Sequence, residues 1–348
     1  MTDKARFYGL DGVRGVAAVS IMLFHYTQYN GLSWFKAAPM AVDLFFILSG
    51  FVIRHGYGDQ IQRGLGFGVF LQHRWRRLWP IYMIGLVVGV VAAGLQGMRP
   101  TDLSVVAAMG SVLLPNFFQT TWALGNGGTV SGIFPLNGTT WSLFFEICVN
   151  IAFFAYVALR RDTRLTGVAI VTCALYALCI LIFGQVNPGW GIDNFWLGFP
   201  RVIAEFSLGV CLYNERHRLP RLPDWLLPAL GAIMLTLFLF ADGRALLLYV
   251  FLLAPLLILC SSRFEAGPKA RNWCSSLGDM SYPLYIIHMP VYALVSQLLP
   301  LSHIPLAIRT AGMALLAVTL SLGLARLDTR LRQRLRRAPW KAQLEGLS

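Results

Sequence analysis

Residues 9–29 read GLDGVRGVAAVSIMLFHYTQY. The stretch is apolar enough to enter a bilayer, yet it carries Arg14 near one end and His25 near the other. Ionisable side chains inside membrane segments are expensive to keep, so they mark function by default. On a helix rising 1.5 Å per residue the two lie about 16 Å apart. That is roughly half of the hydrocarbon thickness. One helix would hold a fixed cation near one face of the membrane and a proton-transfer group toward the other. The rest of the chain is expected to build a path between them.

Composition supports a membrane setting for that helix. Of 348 residues, 56% are hydrophobic and 13% charged, and mean hydropathy is +0.60. Soluble domains carry about twice that charged fraction, so the chain is expected to be a polytopic, all-α helix bundle. The net charge of +13 does not point to nucleic acid. The basic residues sit between apolar segments and toward the C-terminus, as the positive-inside rule requires. The six cysteines show no metal-ligand spacing and no disulfide framework, and no metal site is expected. Arg14 interrupts the first apolar segment and no small-x-small cleavage site follows it. It is read as a retained signal-anchor.

Working outward, about ten spans are expected: 9–29, 39–57, 78–97, 140–159, 165–183, 195–213, 224–240, 245–260, 279–299 and 304–324. Lys4 and Arg6 place the N-terminus in the cytoplasm, and an even count returns the C-terminus there. The segment 101–135 is the difficult one. Counting 103–114 as a full span would put every later basic loop outside, so it is read as re-entrant or interfacial. With that choice only five of the 29 Lys and Arg fall on the outer side: Lys36, Arg99, Arg201, Arg244 and Arg309. Residues 7–325 are read as one membrane domain and 326–348 as a basic cytoplasmic tail.

Depth then sorts the polar residues. Toward the outer face lie His25, Asp43 and Glu146, the last at the end of TTWSLFFE, residues 139–146. A His beside a carboxylate is the usual general-base arrangement, because the carboxylate fixes the tautomer. The plainer alternative is a polar pair that holds two helices together. Toward the inner face lie Arg14, His73, Arg74, Arg76 and Arg77. The run HRWRRLWP, residues 73–80, suits a phosphorylated ligand, since Arg forks match phosphate geometry; any basic cytoplasmic loop would also look like this. In SYPLYIIH, residues 281–288, Ser281, Tyr285 and His288 share a helix face. They line a polar channel or serve as interhelical glue. Arg201 and Glu205, four apart, read as an internal ion pair.

Together these stretches resemble the acyltransferase-3 family of bacterial membrane O-acyltransferases. Four features carry the likeness: Arg14 and His25 within LDGVRGVAAVSIMLFHY; VDLFFILSGFVI with Asp43, Ser49 and Gly50; the RxxR of Arg74 and Arg77; and TTWSLFFE ending at Glu146, supported by SYPLYIIH. The resemblance implies a multi-pass protein of the bacterial inner membrane. It implies acetyl-CoA, or another acyl-CoA, as a cytoplasmic co-substrate with no permanently bound cofactor, and a hydroxyl of a cell-surface glycan as acceptor. Catalytic roles fall to His25, with Glu146 or Asp43 beside it. Donor contacts fall to Arg14, Arg74, Arg77, His73 and Arg76. Ser49, Trp141, Ser142, Tyr285, His288 and Arg201 are expected along the channel or on the acceptor side. The rival expectation is a transporter or flippase of lipid-linked sugars. It would show paired broken helices or repeats, and neither is visible. Transfer of succinyl or a longer acyl group is compatible with the same motifs.

Overall fold

The computed structural model describes residues 6–117, 121–123, 129–184, 187–218, 223–241 and 245–337. Apart from one small ladder it is helical throughout. In chain order, α1 (Tyr8–Tyr29) is followed by α2 (Ala41–Ile53). A π-turn at Arg54–Gly58 joins α2 to α3 (Asp59–Gln62). Then come α4 (Phe67–Leu95), α5 (Pro100–Ser111), and the strands β1 (Thr121–Ala123) and β2 (Thr129–Ser131). The second half holds α6 (Thr140–Arg160), α7 (Thr166–Phe183), α8 (Gly198–Glu215), α9 (Leu226–Phe240), α10 (Leu246–Leu248), α11 (Ala254–Arg263), α12 (Pro268–Leu298) and α13 (Leu306–Arg337).

Among the described residues, seven helical segments are long and apolar enough to cross a membrane: 38–62, 67–95, 140–160, 166–183, 195–215, 246–263 and 306–331. α9 is apolar but shorter. α1 and α12, with 22 and 31 residues, have the length. They fall outside the seven because they carry the polar residues of the bundle. α5, at 12 residues, would reach about 18 Å against a hydrocarbon core of about 30 Å. It lies against α4, where the Tyr82 hydroxyl donates to the Gly110 carbonyl. It therefore cannot span alone, in keeping with the expected re-entrant or interfacial piece; β1 and β2 pair antiparallel just after it.

Three boundaries differ from expectation. α4 starts at Phe67, about three turns before residue 78, so the basic run 73–77 lies on a helix and not in a loop. α12 starts at Pro268, about three turns before residue 279. Proline fits the first helical turn, where its missing N–H costs nothing, and the added turns carry charge rather than apolar surface. α13 runs on to Arg337 with no break where the tail was expected to begin.

Two parallel helix pairs form the centre. α1 runs alongside α12: Arg6 meets Asp279, Arg14 meets the Gly278 carbonyl, and Tyr26 meets the His288 carbonyl. Glycine permits the approach. A Cβ on Gly15 would sit 2.5 Å from Leu277 Cβ, and one on Gly278 2.5 Å from Asp11 Cβ. Small residues at such contacts let backbones close where no hydrophobic force between helices exists. α2 and α8 pair in the same way, with Gly209 against the Ile47 carbonyl. α7 and α13 lie outside, where their apolar windows bury only 17% of residues. Ile170, Leu181, Phe183 and Leu315 face outward for lipid.

Candidate active site

Pro290 in α12 lacks an N–H, so the Ile286 carbonyl one turn back loses its helical donor. Asn137 Nδ2 replaces it at 2.8 Å. This loosened stretch carries His288, which is fully buried. His288 Nδ1 lies 2.8 Å from the Leu284 carbonyl, and its Nε2 lies 2.9 Å from Nδ1 of His25 on α1. The rings are stacked at 5.1 Å with 25° between planes.

The hydrogen-bond network assigns the protons. A carbonyl can only accept, so His288 Nδ1 carries a hydrogen. In a neutral ring, Nε2 is then an acceptor. His25 Nδ1 fills it by donating, which leaves the lone pair on His25 Nε2. That atom has no hydrogen-bond partner among the described residues. The Tyr26 hydroxyl fixes the backbone beside the pair by donating to the His288 carbonyl at 2.9 Å.

Two cavities flank this pair along α1 and α12; the one at the arginine-rich end is called inner and the other outer. The inner one, about 370 Å³, is lined by Arg14, Arg74 and Arg77 at the polar end and by Phe45, Ser142 and Tyr285 at the deep end. The outer one, about 570 Å³, is lined by Tyr29, Asn137, Met289, Pro290 and Arg309 among others. His25 and His288 belong to the lining of neither; along α1 and α12 they fall between the residues that line one cavity and those that line the other. Tyr285, one turn before His288, faces the inner cavity. Tyr29, stacked on His25 at 6.2 Å, faces the outer one.

The expected carboxylate partners of His25 are elsewhere. Glu146 accepts from Arg74 Nη2 at 2.7 Å and from Ser49 Oγ at 3.2 Å. It lines the inner cavity beside Arg14, deeper toward the basic side than expected. Asp43 is fully buried and accepts from Arg201 Nε at 2.8 Å. In a low-dielectric bundle an uncompensated charge is costly, so both carboxylates pair with guanidinium groups, and the imidazole pairs with another imidazole.

The other expected residues divide by location. Arg14 donates to the Gly278 carbonyl at 2.7 Å and to Asp11 at 3.1 Å. Arg14, Arg74, Arg77, Ser49, Ser142 and Tyr285 line the inner cavity, and the Ser142 and Tyr285 hydroxyls meet at 2.8 Å. His73 sits by the Tyr57 ring, and Arg76 is exposed; neither lines the cavity. Arg201 is buried, also bonded to Asn187 and the Pro188 carbonyl, and lies under Trp141 at 5.5 Å. Its distance to Glu205 is 3.6 Å, so Asp43 rather than Glu205 is the main partner.

A family model described as an acyltransferase domain matches residues 7–326. The chain belongs to the acyltransferase-3 family. It is similar to the "Putative membrane-bound transacylase BcsY" of Komagataeibacter xylinus, 27% identical over 85% of this chain and 75% of that one. It is similar to the exopolysaccharide production protein ExoZ of Rhizobium meliloti, 29% identical over 79% and 83%. A shorter match, 84 residues at 32% identity, reaches the peptidoglycan O-acetyltransferase OatA of Listeria monocytogenes and covers 24% of this chain and 13% of OatA. No solved structure matches the chain. Family and apolar helices make the protein an integral-membrane O-acyltransferase.

Sequence reasoning missed several residues of this acyltransferase. Asp279 and Asp328 line the inner cavity with the three arginines, and Asp279 is held by Arg6 at 2.7 Å. They fall in stretches read as a span end and a tail. Asn137 is the donor that completes α12 at Pro290. The proline four residues after Ile286 is the signal that could have found it. Among the described residues no group of three or more His, Cys, Asp or Glu could hold a metal ion.

Proposed function

We propose that this acyltransferase moves an acyl group, acetyl first among the candidates, from cytoplasmic acyl-CoA to a hydroxyl of a cell-surface glycan. In this reading the chain sits in the bacterial inner membrane, α1, α9 and α12 also span, and both termini are cytoplasmic. The observation that carries it is the His25–His288 pair, which along α1 and α12 falls between the residues lining one cavity and those lining the other. The names of the relatives favour a glycan acceptor: exopolysaccharide for ExoZ and peptidoglycan for OatA.

The chemistry follows from the chain's own groups. Donor phosphates stay with Arg77 and Arg74 at the basic end, and the thin pantetheine arm enters the inner cavity toward Tyr285. Glu146 holds Arg74 in place rather than acting on the substrate. The acceptor hydroxyl comes from the outer cavity, and His25 Nε2 takes its proton. The oxygen attacks the thioester carbonyl, the C–S bond breaks, and the CoA thiolate leaves and takes up the proton from His25. His288 keeps His25 Nδ1 engaged, so that only Nε2 can act as base.

Proteoliposomes test the sidedness. With labelled acetyl-CoA sealed inside and a glycan acceptor outside, an O-linked ester is expected on the outer glycan. Ester formation only when donor and acceptor share one compartment would overturn the proposal.

A further inference from the structure

The outer cavity holds a charge that no described carboxylate balances. Among the described residues Arg309, on the first turn of α13, is the one charged residue lining it, and no described Asp or Glu does. Arg309 Nη1 donates to the Leu301 carbonyl at 3.3 Å, while its Nε is buried with no partner. No described carboxylate forms an ion pair with it. The residue as a whole is half-buried, so an anion entering the cavity would meet a partly desolvated guanidinium, where pairing is stronger than in open water. The remaining lining is what a saccharide would meet: rings of Tyr29 and Phe134, and the Gln96 amide. A pocket that is mostly apolar with a few directed polar groups is the usual form of a small-molecule site.

We infer that the outer cavity is the acceptor site and that it takes an anionic saccharide, with Arg309 paired to the negative charge. The charge is either a sugar carboxylate or the phosphate joining the sugar to a lipid carrier; both offer oxygens to an Arg fork. The site is continuous with the chemistry, because Tyr29 borders the cavity and stacks on His25. The inference rests on the proposed glycan acceptor and narrows it to an acidic or lipid-phosphate-linked one. A neutral sugar would leave Arg309 as it is now.

Binding is the test, so that a failure of transfer is not confused with a failure of the site. Purified full-length protein in detergent is titrated with three probes, followed by intrinsic fluorescence: cellotetraose, a tetramer of glucuronic acid, and farnesyl pyrophosphate. At least one anionic probe is expected to bind, more weakly at high salt, and the neutral tetramer is expected to bind at least about tenfold less tightly. Arg309→Gln should remove that preference and Arg309→Lys should keep part of it, with both variants still binding acyl-CoA. Binding of the glucuronate tetramer alone assigns the charge to the sugar, and of the pyrophosphate alone to the carrier. No binding by either anion, equal binding of all three, or an unchanged preference in Arg309→Gln would overturn the inference. Anion binding without any ester formation in the sealed-vesicle assay would leave the site standing and reject the proposed reaction.

Discussion

His25 and His288 are 263 positions apart in the chain and 2.9 Å apart in space. The bond joins the two parallel helices between the residues that line one cavity and those that line the other. Its direction is set from outside the pair, by the Leu284 carbonyl. His288 is therefore a positioning residue for His25. His288→Ala should lower kcat by about 10²-fold, within the range that a positioned base contributes. The KM for acyl-CoA should barely move, since the arginines proposed to meet the donor are untouched. Steady-state kinetics on the purified variant check this; a large rise in KM with kcat preserved would contradict it.

Glu146 is expected to matter through Arg74. The two side chains are 6% and 26% exposed for Arg74 and Glu146 respectively, so the pair is not a surface bridge of negligible worth. Groups in direct contact usually couple by about 0.5–3 kcal/mol. A double-mutant cycle of Arg74→Ala and Glu146→Gln should show coupling in thermal stability. It should show coupling in acyl-CoA affinity as well. Additive effects in both would contradict the role given to Glu146.

The buried Asp43–Arg201 pair is expected to be structural. Removing one partner of a buried pair commonly costs about 3–5 kcal/mol. Arg201→Ala should therefore reduce the yield of monodisperse protein in detergent, and Asp43→Asn should do so less. Activity per folded molecule should stay near that of the parent protein. An intact, stable Asp43→Asn variant with no activity would return Asp43 to the catalytic machinery.

Close glycine contacts give a paired prediction. A Cβ on Gly209 would lie 1.8 Å from the Ile47 carbonyl, whereas one on Gly167 meets nothing within 4 Å. Overpacking costs about 1–3 kcal/mol, while Gly→Ala on an open helix face gains up to about 1 kcal/mol. Gly209→Ala should lower the melting temperature and Gly167→Ala should leave it equal or higher. The reverse order would contradict the α2–α8 packing.

Much of this architecture was legible before the fold. Apolar runs bounded by basic residues located the helices, and the charge of the later loops marked 103–114 as less than a full span. Ionisable residues in apolar runs pointed to His25, Arg14 and Glu146. Partnership was not legible. Helical spacing tells which residues share a face, but Glu146 and Arg74 are 72 positions apart, and nothing local tells which helix faces which. Depth was misjudged for the same reason. Glu146 lies about two turns into α6 by counting, yet it pairs with Arg74 at the basic end. A carboxylate was expected beside His25 because soluble enzymes so often place one there. In a bundle with fixed guanidinium groups the carboxylates are claimed by them.

The most direct test is acyl transfer by His25→Ala, measured beside acyl-CoA affinity in the same purified sample. Loss of ester formation by about 10²-fold or more, with affinity for acyl-CoA unchanged, is the expected result. Transfer at the parent rate would contradict the account, since no other base is given that role.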